Sequence, residues 1–305
     1  MLALLCGGQG LVSAGMFRLA ADMAEAQPVF DAAAALLGAD PRALVNKPPE
    51  EITKNRTSQI LSVTASLAHF AVLAPALPPR VLVAGYSVGE MAAWSLAGIW
   101  TTAEALRLTA LRAQAMDEAS RVPGRLCYVR GLGQTKLAQL AATHGCEIAI
   151  LSPDNLITIG GPEAMIEDFC GAALAEGAVR AGMLAVRVAA HTSQLAPAVP
   201  VFEAALRQSR WQTIEPGRQL LAGSNGERIF TAEAGFGQLA TQIAEPINWV
   251  GTLDSLVERG VDRILDLGPG TALQRGATAY LQGLPCYAAE SFQSAAGLHA
   301  WLRAG

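Results

Sequence analysis

The sequence predicts an α/β fold, a largely parallel sheet carrying a small ferredoxin-like unit as an insertion. Two observations support the sheet and a third supports the insertion. Three short apolar runs each break into a glycine-rich turn and then a helix-like segment: LALLCGGQG (2–10), VLVAGYSVG (81–89) and ILDLGPG (264–270). Apolar runs without alternation suit strands buried on both faces of a parallel sheet. Ligands gather at the carboxyl ends of such strands, where all three turns would lie. Helical patterns fill the intervals, over about 17–37, 58–74, 88–97, 103–119, 198–209 and 250–259. Between about 125 and 188 the rhythm changes. RLCYVRGL reads as strand, TKLAQLAATHG as helix, CEIAILS and NLITIGG as strands, PEAMIEDFCGAALAEG as helix and AVRAGMLAVRVAA as strand. That order, βαββαβ, is the split-βαβ pattern. The expected division is therefore 1–122 with 189–305 for the large α/β part and 123–188 for the insertion.

Composition narrows the functional classes. Of 305 residues, 51% are hydrophobic and 16% charged, ample for a sizeable core. The net charge of −4 comes without basic runs, which argues against nucleic acid as a partner. The five cysteines (Cys6, Cys127, Cys146, Cys170 and Cys286) have no CxxC spacing. They read as buried thiols in a reducing compartment, with no disulfide frame and no metal site. MLALLCGGQG lacks the basic start of a signal peptide. His69, the prolines near 75–79 and Arg80 interrupt the longest apolar stretch before it reaches about 18 residues. A cytoplasmic protein that does not span a membrane is expected.

Gly85-Tyr86-Ser87-Val88-Gly89 places a serine between a buried strand and a helix, the pattern of a nucleophile elbow. In so sharp a turn the flanking residues must lack side-chain bulk. The helix that follows would aim its free N–H groups and its dipole at the serine oxygen. The plainer alternative is a serine that only caps a tight turn.

A serine nucleophile needs a base, and there are four histidines. His69 lies in an apolar helical pattern, His144 at a helix end, and His299 close to the end of the chain. His191 follows VRVAA and begins a polar turn, the best seat for a general base. Arg112 is equally informative. The helix opening at Thr101, with Glu104 three residues on in capping-box spacing, carries Ala105, Leu108, Arg112, Ala115 and Ala119 along one stripe. Arg112 thus falls on an apolar face with no acidic neighbour one turn away. A buried guanidinium must find an acceptor elsewhere. Either a tertiary salt bridge or the anion of a substrate would serve.

GGQG (7–10), GYSVGE (85–90), Arg112, AAHTS (189–193), EPINW (245–249) and DLGPG (266–270), in this order, resemble the malonyl-CoA:acyl-carrier-protein transacylases along nearly the whole chain. The resemblance implies an α/β-hydrolase-like core and a set of roles. Ser87 would be the acylated nucleophile and His191 its base. The main-chain N–H groups of Gln9 and Val88 would form the oxyanion hole, and Arg112 would grip the malonyl carboxylate by a two-pronged hydrogen bond. Gln59 would line the pocket, and the main-chain carbonyl of Asn248 would orient the histidine. The implied reaction moves malonyl from malonyl-CoA, by way of a malonyl-serine, to the thiol of an acyl carrier protein. No cofactor resides on the enzyme itself.

Some positions depart from the family pattern. Tyr86 replaces the usual histidine, GGQGLV lacks the usual Ser-Gln, and Leu151 and Asn155 replace asparagine and glutamine. Ala190 is small enough to weaken exclusion of 2-alkyl malonyl groups. With GYSVGE, these look most like the epsilon subunit of malonate decarboxylase, whose partners would include a dedicated carrier protein and further decarboxylase subunits. The alternative is a malonyl transacylase of fatty-acid or polyketide synthesis. Two readings lie farther off. A carboxylester hydrolase would draw on Asp266 and His299, and a non-catalytic scaffold would have kept only the fold.

Overall fold

The protein is described by a computed structural model over residues 1–304. Its strands are β1 (Leu2–Cys6), β2 (Val81–Gly85), β3 (Gly124–Arg130), β4 (Glu147–Ser152), β5 (Leu156–Pro162), β6 (Arg180–Met183), β7 (Arg218–Leu221), β8 (Arg228–Ile229), β9 (Ile247–Asn248), β10 (Arg263–Asp266) and β11 (Cys286–Ala288). A six-stranded sheet runs β11-β10-β1-β2-β7-β8, parallel except for the antiparallel edge strand β8. Every residue of β1 and β2 is buried, as their unbroken apolar runs require. In register, Cys6 lies beside Gly85 and Leu5 beside Asp266, so the three glycine turns leave adjacent strands at one edge of the sheet.

The second sheet runs β6-β3-β5-β4-β9. Its first four strands, with the helices Gln134–Thr143 and Glu163–Ala175, realise the βαββαβ order. They enclose a separate core around Leu137, Ile159 and Phe169. The fifth strand, β9, comes from far along the chain and pairs in parallel with β4, Ile150 opposite Ile247 and Leu151 opposite Asn248.

Three expectations need correction. The pattern over 17–37 is not one helix: residues 17–22 form turns, Ala24–Ala26 a 3-10 turn, and the α-helix is Gln27–Leu37, with Pro28 in its first turn. Cys127 and Cys170, expected as free thiols, are joined as a disulfide, Cα atoms 6.8 Å apart. Helix Glu163–Ala175 packs across β3, so residues 43 apart in sequence meet. Cys6, Cys146 and Cys286 are free and buried. Finally, Asn55–Ala76 is long and apolar enough to cross a membrane despite His69, but 72% of its apolar window is buried in the protein. It serves as the core helix against which Gln27–Leu37 and the helices Gly89–Leu96 and Thr102–Ala119 pack.

Candidate active site

The elbow is set by close backbone approach. Ser87 has φ 55°, a left-handed conformation rare outside glycine. A Cβ at Gly85 would lie 2.2 Å from the Glu90 main-chain nitrogen, and one at Gly89 would lie 2.2 Å from the Cys6 carbonyl oxygen. The two glycines therefore let helix Gly89–Leu96 start directly against the ends of β1 and β2. The same contact brings the GGQG turn beside the serine. The main-chain N–H groups of Gln9 and Val88 come from these two adjoining turns, and neither donates to another described residue.

His191 meets Ser87. Its Nε2 lies 2.7 Å from Ser87 Oγ. Its ring Nδ1 lies 2.5 Å from the main-chain oxygen of Gln242, and its own main-chain N–H donates to the Ile243 oxygen at 2.7 Å. With Nδ1–H donating to a carbonyl, Nε2 is the acceptor for the serine proton. Burial, with the nearby Arg112 cation second, lowers the His191 pKa to about 3, partly opposed by the Gln242 hydrogen bond. The imidazole is neutral at any ordinary pH.

The orienting carbonyl belongs to Gln242, not to Asn248. Asn248 caps the helix Trp249–Glu258, its side chain accepting from Gly251 N–H at 3.1 Å. Gln242 was missed because helix Ala232–Thr241, which ends beside His191, was not anticipated. Its signal was present: Thr231 as cap, then Phe236, Leu239, Ala240 and Ile243 at spacings of three and four.

Arg112 is 1% exposed, as its place on an apolar stripe predicts. Its acceptors are uncharged: Gln59 Oε1 at 2.8 Å, Met116 Sδ at 3.2 Å and Gln242 Oε1 at a long 3.4 Å. Its Nε is buried without a partner. The guanidinium edge formed by Nε and one terminal nitrogen is thus short of acceptors, on the side by which a carboxylate is gripped in two-pronged fashion. Burial lowers the pKa to about 10, opposed by Glu90, so the group stays charged. Gln59 steadies it, its own amide nitrogen donating to Asn55 Oδ1 at 2.8 Å.

Beside the elbow a cavity of about 850 Å³ opens between the two sheets. Gln9 and Tyr86 line it from the turns of the large sheet, Tyr128, Ser152 and Arg180 from the second sheet, and Trp249 from the start of the helix after β9. The Tyr86 and Trp249 rings meet edge to face at 5.2 Å. The other histidines each contact a main-chain oxygen instead of Ser87: His69 that of Leu267, His144 that of Leu140, and His299 that of Val72. Asp266 accepts from the N–H groups of Gly268 and Gln274. No hydrolase triad forms from Asp266 and His299.

Comparison with known proteins agrees. Residues 5–228 match the acyl transferase domain family. Malonyl CoA-acyl carrier protein transacylase of Escherichia coli K12 is 30% identical, covering 87% of this chain and 88% of its own. The protein of that name from Mycobacterium tuberculosis H37Rv is 31% identical, covering 95% and 97%. The chain belongs to the malonyl-CoA:acyl-carrier-protein transacylase family. Among solved members, the S-malonyltransferase of Burkholderia pseudomallei superposes with a TM-score of 0.88 at 27% identity, covering 98% of this chain and 99% of that one. A malonyl-transacylase in complex with a type II PKS acyl-carrier protein also superposes at 0.88, with 26% identity over 100% and 99%. These likenesses account for the two-sheet architecture.

Proposed function

We propose that the protein transfers malonyl from malonyl-CoA, through a malonyl ester on Ser87, to the thiol of an acyl carrier protein. The carrying observation is the buried Arg112, short of charged acceptors on its two-pronged edge, beside a Ser87–His191 pair. Ser87 attacks the thioester as His191 takes its proton. The oxyanion falls to the N–H groups of Gln9 and Val88, each typically worth about 100- to 1,000-fold in rate. His191 then gives the proton to the leaving sulfur, and the carrier thiol reverses the steps. A malonyl carboxylate meets the two-pronged edge of Arg112 that lacks acceptors. An acetyl group brings no carboxylate and leaves that edge without a partner.

The similarity to carrier-protein transacylases, including one bound to a polyketide carrier, supports a fatty-acid or polyketide carrier as the acceptor. The finer reading, a malonate decarboxylase carrier, rests on the resemblance carried by GYSVGE, whose Tyr86 lines the cavity. One experiment tests both levels. Malonyl-CoA should add one malonyl mass to wild-type protein at Ser87 and none to Ser87→Ala, and the adduct is then offered to both carriers. An unmodified wild type would defeat the transfer reading, and preference for the fatty-acid carrier would defeat the decarboxylase reading.

A further inference from the structure

Glu90 takes no part in the steps above, yet it lies among the same buried side chains. It sits in the first turn of helix Gly89–Leu96 and is 1% exposed. Its Oε2 accepts from the Gly223 main-chain N–H at 3.1 Å and from the side-chain amide of Gln242, while the Trp94 indole N–H lies 3.5 Å from Oε1. An ionised carboxylate can only accept. Gln242 must therefore turn its NH2 toward Glu90 and its Oε1 toward Arg112. The main-chain oxygen of that same Gln242 holds His191. One residue thus joins the cation to the base, and the charge at position 90 fixes which way its amide faces.

We propose that Glu90 is the internal counter-charge of Arg112, a positioning residue that steadies the cation through Gln242 before acylation and yields it to the malonyl carboxylate by taking up a proton. The inference rests on the malonyl reading of Ser87. One buried cation cannot balance two buried anions, and an uncompensated charge in such a site is strongly unfavourable. Protonating Glu90 restores the balance. It is poised to do so, because burial outweighs its hydrogen-bond donors and lifts its pKa to about 7. The groups facing it are few: Arg112 from helix Thr102–Ala119 and, behind Gln242, His191. The turn after β7 presents only the Gly223 amide, and its own helix presents Trp94. His191 stays neutral across this range, which leaves Glu90 as the group in this cluster that titrates near neutrality.

The protons can be counted. In acylation the Ser87 oxygen bonds to the malonyl carbonyl carbon and the C–S bond breaks. The serine proton passes through His191 to the CoA sulfur, which keeps it below the ordinary thiol pKa of about 8.5. Acylation alone therefore takes no proton from solution near pH 7. Enzyme in weakly buffered solution with an indicator dye is mixed with malonyl-CoA, and the adduct is counted by intact mass. For a rise of about one unit in the Glu90 pKa, uptake should be on the order of half a proton per malonyl adduct near pH 7.5. Acetyl adducts from acetyl-CoA should take up none, and Glu90→Gln should abolish the uptake with malonyl-CoA. Over the same titration, wild-type kcat/KM for malonyl-CoA should fall by up to about tenfold between pH 6 and pH 8, with no such fall in Glu90→Gln. If that variant does not fold, the malonyl and acetyl counts on wild type still decide. Absent uptake, equal uptake with both acyl groups, or uptake persisting in Glu90→Gln would overturn the inference while the transfer reading stands. A wild type that forms no malonyl adduct would overturn both.

Discussion

Arg112 is held only by neutral oxygen and sulfur atoms, so what it grips depends on the acyl group presented to it. Arg112→Ala should lower kcat/KM for malonyl-CoA by about 100- to 1,000-fold, the cost of losing a buried charge-assisted pair. Acetyl-CoA, with no carboxylate to lose, should fall by less than about tenfold. Steady-state kinetics with both thioesters measures the pair, and equal losses would count against a carboxylate grip. The sequence revealed Arg112 because a charge on an apolar helical stripe is conspicuous by spacing alone. It did not reveal Glu90 as buried. That carboxylate follows a glycine in a short helix, and its partners, the Gly223 amide after β7 and the Gln242 side chain after helix Ala232–Thr241, lie more than 130 residues away in the chain.

At the scale of an element, the turn from β2 into helix Gly89–Leu96 rests on glycines whose missing side chains face rigid backbone. Gly89→Ala would press a methyl against the carbonyl oxygens of Cys6 and Gly7. It should cost about 3 kcal/mol of stability and abolish malonyl-adduct formation. Gly171→Ala, mid-helix in Glu163–Ala175 with nothing within 4 Å of the new atom, should instead gain roughly 0.5–1 kcal/mol. Urea unfolding of both variants checks the contrast. Strands β1, β2 and β10 were legible because each apolar run ends at glycine. Helix Ala232–Thr241 was hidden by Gly235 and Gly237, which dilute its pattern. Gly235 is small for a tertiary reason: a Cβ there would lie 2.9 Å from the Trp94 ring. The histidine's acceptor was consequently sought in the EPINW stretch, six residues too late.

Across the whole molecule, buried carboxyl groups tilt stability with pH. Burial raises the Asp266 pKa to about 7, well above that of an unfolded aspartate. The unfolded chain gives up this proton near pH 4 while the folded chain keeps it to about 7, so folding stability falls as pH rises through that window. His191, depressed to about 3, acts in the opposite direction, removing stability as pH falls below about 6.5. Asp266→Asn should gain on wild type progressively between pH 4 and pH 7, by on the order of 3 kcal/mol in all, as denaturant midpoints at several pH values would show. The parallel arrangement and the inserted unit were readable from local rhythm, whereas the pairing of β9 with β4 was not, since two residues carry no periodicity. That pairing holds one side of the loop that bears the Gln242 carbonyl, and helix Ala232–Thr241 holds the other. An aspartate behind a histidine can be erased by one codon change. Here the acceptor that orients the imidazole is a main-chain carbonyl that any residue at 242 would supply, so heredity can displace it but cannot delete it.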